Sequence, residues 1–225
     1  MALGEQLQAV PEPSYVRQQD ILPIDVLAEA QVTVIGVGAI GSMVAINLAK
    51  MGIGRLTLYD RDTVEPHNLP NQWFRISDLG QTKVQALKET LEAFGAQQVT
   101  AIPRFYAAQP VEGVVICAVD SMDARARIWK AIKTNRKVTT YIDGRMGAEV
   151  GRLLTVDTRD PLSVQAYEAE LYPSTEAFRA PCTARATIYC AAGLAALMAA
   201  KVAKVLLGRP HRKELTVDFR QAILM

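Results

Sequence analysis

Short, unbroken apolar runs alternate with helical spacings and polar breaks along the chain, and each run predicts an element. Val32–Ile35 predicts a buried strand, followed by a glycine turn and a helix from about Ala39 to Met51. Residues 55–60 (RLTLYD) predict a second strand. Residues 61–81 are polar, with Trp73 and Phe74 as anchors; long loops without structure of their own are often functional. Thr82 to Phe94 places Val84, Leu87 and Leu91 at helical spacing and stops at Gly95. Residues 98–106 predict a third strand. Residues 113–119 predict a fourth, apolar throughout, as expected of a strand covered on both faces. Ser121 to Thr134 reads as a helix with Ser121 as its N-cap. Residues 137–143 and 147–156 predict a fifth and a sixth strand, and 157–181 an irregular crossover. Thr183 to Leu207 predicts a long helix ending at Gly208-Arg209-Pro210, and residues 213–219 a last strand. At the other end, residues 1–13 read as a flexible arm and 14–30 as a helical segment interrupted at Pro23.

Strands alternating with helices define an α/β chain, expected to form one domain over residues 1–225: a doubly wound, mostly parallel sheet with helices on both faces. Gly36-Val37-Gly38-Ala39-Ile40-Gly41 lies between the first strand and its helix, the G-x-G-x-x-G setting of a Rossmann-like nucleotide site. Gly36 permits the tight turn, Gly38 lets backbone approach a phosphate, and Gly41 permits close helix–strand packing. The helix N-terminus then offers free N–H groups to an anion. Asp60 closes the second strand, where a carboxylate accepts from ribose hydroxyls.

Composition narrows the partners. Half of the 225 residues are hydrophobic, 21% are charged, and the net charge is +2. Such a balance argues against nucleic acid. The apolar stretch near 188–207 carries Lys201 and Lys204 and is expected to be a buried core helix, not a membrane span. The N-terminus lacks the order of a signal peptide. The cysteines, 117, 182 and 190, are odd in number and widely spaced, which is the pattern of a reduced, cytoplasmic protein without a disulfide framework or structural zinc.

The glycine motif and Asp60 suit adenosine nucleotides in general, NAD included. The following segment differs from what a dehydrogenase needs. A polar loop containing Asn68, Asn71 and Gln72 leads to Lys83 at the start of the next helix, and these side chains suit phosphate oxygens and shifting phosphoryl charge. Asp120 ends the fourth strand, where a carboxylate together with phosphates holds Mg²⁺. Asp143 and Arg145, at the fifth strand's end beside a glycine turn, would either orient an acceptor tail or form an internal pair.

Taken together, D-x-D-x-V-x-x-x-N-L-x-x-Q from Asp60, a Gly-x-x-Lys ending at Lys83 and a strand ending in Asp120 resemble the ubiquitin-activating-enzyme-like adenylyltransferases of the ThiF/MoeB/HesA type, over about residues 14–207. The resemblance implies that Gly38 and Asp60 hold adenosine and ribose, that Asn68 and Lys83 contact phosphates, and that Asp120 binds Mg²⁺. It implies a homodimer in which Arg17 of the Arg17-Gln18 motif reaches the neighbouring subunit's ATP. It also implies the reaction: the C-terminal carboxylate of a ubiquitin-like or sulfur-carrier β-grasp protein attacks the α-phosphate of ATP, giving an acyl adenylate and pyrophosphate. Cys182, in Pro181-Cys182-Thr183 before the long helix, is similar to the thioester-forming cysteine of some members; a helix N-terminus and Arg179 and Arg185 would stabilise its thiolate. Two departures stand out. Asn71 occupies the position where the family usually carries arginine, with Arg75 four residues on, and paired C-x-x-C motifs are absent. An NAD-dependent oxidoreductase and a non-catalytic nucleotide-binding subunit are the alternative readings.

Overall fold

The computed structural model describes residues 13–176 and 186–225. Its elements run α1 (Ile24–Ala28), β1 (Gln31–Ile35), α2 (Ala39–Met51), β2 (Arg55–Tyr59), α3 (Lys83–Ala93), β3 (Gln98–Ile102), β4 (Gly113–Cys117), α4 (Met122–Ile132), β5 (Val138–Gly147), β6 (Val150–Asp157), α5 (Pro161–Glu168), α6 (Ile188–Leu206), β7 (Glu214–Asp218) and β8 (Ile223–Leu224). One eight-stranded sheet has the order β3-β2-β1-β4-β5-β6-β7-β8. The first five strands pair in parallel, and β6 to β8 continue antiparallel. The chain therefore winds outward from β1 in one direction, then from β4 in the other. That reversal opens a crevice at the carboxyl ends of β1 and β4.

Helices cover both faces. On one, α2, α3 and α6 bury Val44, Leu48, Leu87, Leu91 and Met198 against Val34, Leu58 and Ile142. On the other, Ile128, Trp129 and Ile132 of α4 and Tyr167 of α5 close over Val115, Cys117 and Tyr141. Trp129, Tyr141 and Tyr167 form a mutual aromatic cluster with ring centroids 4.7–5.4 Å apart. Burial of each large side chain contributes about 1.5–3 kcal/mol, so this trio fixes α5 to the sheet. Helix α6 has a mean hydropathy of 1.6 and is long and apolar enough to cross a membrane. It lies instead along α2 and over β5 and β6, with half of its apolar window buried.

The structure differs from the sequence expectations at several places. The third strand ends at Ile102, and the fifth continues through Gly147, so residues 144–147 form no glycine turn; the reversal falls at Ala148, whose φ is 54°. The expected irregular segment from 157 contains α5, started by the Asp160 carboxylate, which accepts from the Leu162 N–H at 3.0 Å, and by Pro161 in the first turn. Helix α6 begins at Ile188 rather than Thr183. Ser121 does cap α4, accepting from Ala124 N–H at 3.3 Å.

Candidate nucleotide site

The glycine turn is built for closeness. A Cβ on Gly41 would lie 1.9 Å from the Gly36 carbonyl oxygen, and one on Gly36, whose φ is +86°, would lie 2.9 Å from the Ala118 oxygen. The turn thus closes on itself and on the end of β4. Gly38 is different: a Cβ there meets nothing within 4 Å, and the residue caps α2 without any side chain on the helix's free N–H groups. An open concavity in front of unsatisfied donors at the positive end of a helix dipole suits an anion.

Asp60 frames this concavity. Its Oδ2 accepts from Val37 N–H and its Oδ1 from Asp62 N–H, both at 2.9 Å. Burial pushes its carboxyl up, opposed by those two backbone donors and by nearby Lys83. The polar loop folds back so that Lys83 arrives beside it. Thr63 bridges Thr82, Val64 N–H donates to Gln81, Gly80 N–H to Val64 and Lys83 N–H to Asp62. Lys83 is buried, and its Nζ lies 3.3 Å from Asp62 Oδ2. Asp62 was not among the residues chosen from the sequence, although its place in D-x-D marks it.

Asn68 is buried, with its Oδ1 accepting from Glu65 N–H at 2.9 Å in a capping box. The loop is held to α2 by Ser42, a fully buried residue of the glycine-turn helix whose Oγ accepts from Trp73 N–H at 3.1 Å. The side-chain oxygens of Asn71, Gln72 and Gln81 are buried without partners among the described residues. Unpaired buried acceptors are costly; a phosphate offers them no donor, so only the Nδ2 and Nε2 groups of these amides suit phosphate oxygens. Arg75 does not replace the arginine absent at position 71. Its guanidinium is held on the buried Asp78 carboxylate at 3.0 Å, with the Arg75 N–H on the same carboxylate.

Asp120 is exposed at the end of β4 and has no ion pair or hydrogen bond among the described residues. It is neither the N-cap of α4, which is Ser121, nor the partner of Arg125, which pairs with Asp143 at 2.6 Å. Among the described residues no three His, Cys, Asp or Glu side chains group around a metal position. Asp120 would therefore hold Mg²⁺ together with phosphate oxygens, the usual manner for this ion. Residues and open space fit ATP and Mg²⁺: the cradle at Gly38, the N–H donors of the loop amides, and the Asp120 carboxylate, which has no partner among the described residues.

Other candidates fall elsewhere. Gln18 donates to the Met51 carbonyl at 2.8 Å and Tyr15 packs at Gly52, so Arg17 sits exposed at the far end of α2 from the glycine turn. Thirteen residues of helix separate the two by about 20 Å. Asp143 is fully buried within β5 and accepts from Arg125, Arg145 and Tyr167, so it is an internal pair and does not line the crevice. Cys117 and Cys190 are buried free thiols; burial pushes both up, Cys190 to about 11. Cys182 lies outside the described residues.

The ThiF family model matches residues 17–222. The fold and the glycine turn define an α/β protein of the Rossmann-like class, and the chain belongs to the ThiF family. It is 45% identical over 65 residues to ubiquitin-like modifier-activating enzyme 5 of Arabidopsis thaliana, a match covering 29% of this chain and 15% of that protein. Over 117 residues it is 32% identical to ubiquitin-like modifier-activating enzyme 5 of Rattus norvegicus, covering 43% and 29%. The matched stretches thus span less than a third of the length of these relatives. Its fold is similar to PaaA (TM-score 0.73, 19% identity, 93% of this chain and 67% of that one). It is also similar to E. coli MccB crystallised with ATP (0.68, 19%, 91% and 65%). The E. coli tRNA N6-threonylcarbamoyladenosine dehydratase TcdA matches at 0.63, with 20% identity, over 82% of this chain and 89% of that one.

Proposed function

We propose that the chain binds Mg-ATP at the glycine turn and adenylates the C-terminal carboxylate of a ubiquitin-like or sulfur-carrier protein. The observation that supports this most is the joining of Asp60, Asp62 and the buried Lys83 around the Gly38 concavity by the paired segments 63–64 and 80–83. A hydride-transfer site has no use for a buried lysine there. A site in which negative charge moves from the α-phosphate to departing pyrophosphate does. The carboxylate oxygen forms a bond to the α-phosphorus, the α–β bridging bond breaks, and pyrophosphate carries away its electron pair. Asp60 orients the ribose, the α2 N–H groups and Lys83 bind phosphate oxygens, and Asn68 and Gln72 present amides to them. Mg²⁺ supplies charge neutralisation when bound, with Asp120 as its protein ligand. Family membership and the likeness to an ATP-bound fold support this reading.

Arg17 would act only on a second subunit's nucleotide, since it lies at the far end of α2 from its own site. A homodimer follows from that role. A thioester step would fall to Cys182, because the other two thiols are buried and held protonated. The test is exchange of labelled pyrophosphate into ATP, offering ubiquitin-like and sulfur-carrier proteins with a free or an amidated C-terminus. Exchange that needs the free carboxylate and falls in Lys83→Ala supports adenylation. Equal exchange in Lys83→Ala contradicts it.

A further inference from the structure

We infer that Arg125 is a positioning residue for Asp120, holding the β4–α4 turn so that this carboxylate meets the phosphates; the inference rests on the Mg-ATP reading above. Arg125 is buried at 3% exposure on α4. Its Nε donates to Asp143 Oδ1 at 2.6 Å, and its Nη2 donates to the carbonyls of Val119 at 2.7 Å and Gly144 at 3.2 Å. Val119 immediately precedes Asp120. The β1–β4 ladder reaches as far as Ala118, whose N–H donates to Ile35. Beyond it the described residues tie the turn through the Val119 N–H beside the Cys117 thiol, the Ser121 cap, Ser174, which bonds Ser121 and Asp123, and the Arg125 guanidinium, whose bond to the Val119 carbonyl lies next to Asp120.

Charge balance alone does not explain the arrangement. Asp143 faces two guanidiniums, Arg125 and Arg145, where one would neutralise it. Each places a further donor on a different segment, although Arg145 Nη2 is buried without a partner among the described residues. Arg125 takes the turn bearing Asp120, and Arg145 Nη1 takes the Glu170 carbonyl at 3.0 Å, where the chain leaves α5. A buried carboxylate on β5 thereby fixes two separate segments in one frame. A planar fork is suited to several fixed acceptors at once, whereas an ammonium acts as a point charge. Removing Arg125 leaves Asp143 paired with Arg145 and Tyr167, so the loss does not strand a buried charge.

The experiment is a double-mutant cycle read by calorimetry: wild type, Arg125→Met, Asp120→Ala and the double variant, each titrated with Mg-ATP and, separately, with AMP in the absence of metal. Arg125→Met is expected to weaken Mg-ATP about tenfold, toward the Asp120→Ala value. It should leave AMP binding unchanged and add nothing in the Asp120→Ala background. Arg125→Lys, which keeps the charge against Asp143, serves if the methionine variant does not fold, and is expected to lose Mg-ATP affinity in the same pattern. Wild-type Mg-ATP affinity in either variant, additive losses, or equal losses for AMP would overturn the positioning role. If wild type fails to bind Mg-ATP, or Asp120→Ala binds it as wild type does, the nucleotide reading fails first and this role with it.

Discussion

Replacing Gly38 with alanine separates the fold from the nucleotide site. The added methyl meets no atom within 4 Å, and the residue's φ of −76° does not demand glycine. Alanine is a poorer N-cap than glycine by about 1 kcal/mol. For a domain of this size that lowers the Tm by about 2–4 °C. The same methyl occupies the concavity in front of the α2 N–H groups, so a phosphate there must retreat. One charge-assisted hydrogen bond is worth about 1.5–3 kcal/mol, and its loss weakens ATP binding roughly ten- to hundredfold. Gly41→Ala acts oppositely, because its methyl would sit 1.9 Å from the carbonyl oxygen and 2.9 Å from the carbonyl carbon of Gly36, backbone atoms that cannot turn aside as a side chain would. The turn must open, at a cost of about 4 kcal/mol or more. Thermal denaturation and calorimetry on the two variants read both quantities. Unchanged ATP affinity in a folded Gly38→Ala chain would refute the phosphate cradle; a fully stable Gly41→Ala chain would refute the packing reason for the third glycine.

Three further outcomes follow from the geometry. Lys83→Ala is expected to lower pyrophosphate exchange by about 100-fold with little change in AMP binding; an equal loss of both would make Lys83 a structural residue. Ser42→Ala removes the acceptor for Trp73 N–H, costing about 1 kcal/mol and raising the KM for ATP as the loop loosens. An unchanged KM in that variant would mean the Ser42 tie does not set the loop. Cys190 is held protonated to about 11 against an ordinary 9. The unfolded chain therefore ionises there first, and native stability at this group is full below pH 9 and declines between 9 and about 11. In step with this, a thiol reagent at pH 8 should label a Cys182→Ser chain only on unfolding, and rapid labelling of the folded variant would contradict the burial of Cys117 and Cys190.

Much of this site is legible in the sequence because its parts are local. The G-x-G-x-x-G turn, Asp60 and the Ser121 cap each depend on a few neighbouring residues, and a strand–turn–helix leaves little choice of geometry. Lys83 is legible as a cation suited to phosphate at the start of a helix, but what brings it to Asp60 is the pairing of 63–64 with 80–83, a long-range contact without a local mark. Asp143 and Arg145 illustrate the opposite error. Gly144 and Gly147 read as turn residues, yet β6 pairs with β5 along residues 140–147 and keeps them extended. Gly144 serves the packing instead, since a Cβ there would lie 2.6 Å from the Met198 sulfur. Helix α5 did carry a local signal, Asp160-Pro161, a cap followed by a first-turn proline. The clamp formed by Arg125 on Val119 has none, because its acceptors come from β5 and from the loop after β4.

The most direct test of the Mg-ATP reading is a calorimetric titration of the purified chain with Mg-ATP and with NAD⁺, repeated with Asp120→Ala. ATP is expected to bind in a manner that requires magnesium and weakens in the variant, with NAD⁺ bound poorly. Binding of NAD⁺ that is indifferent to magnesium and to Asp120 would contradict it.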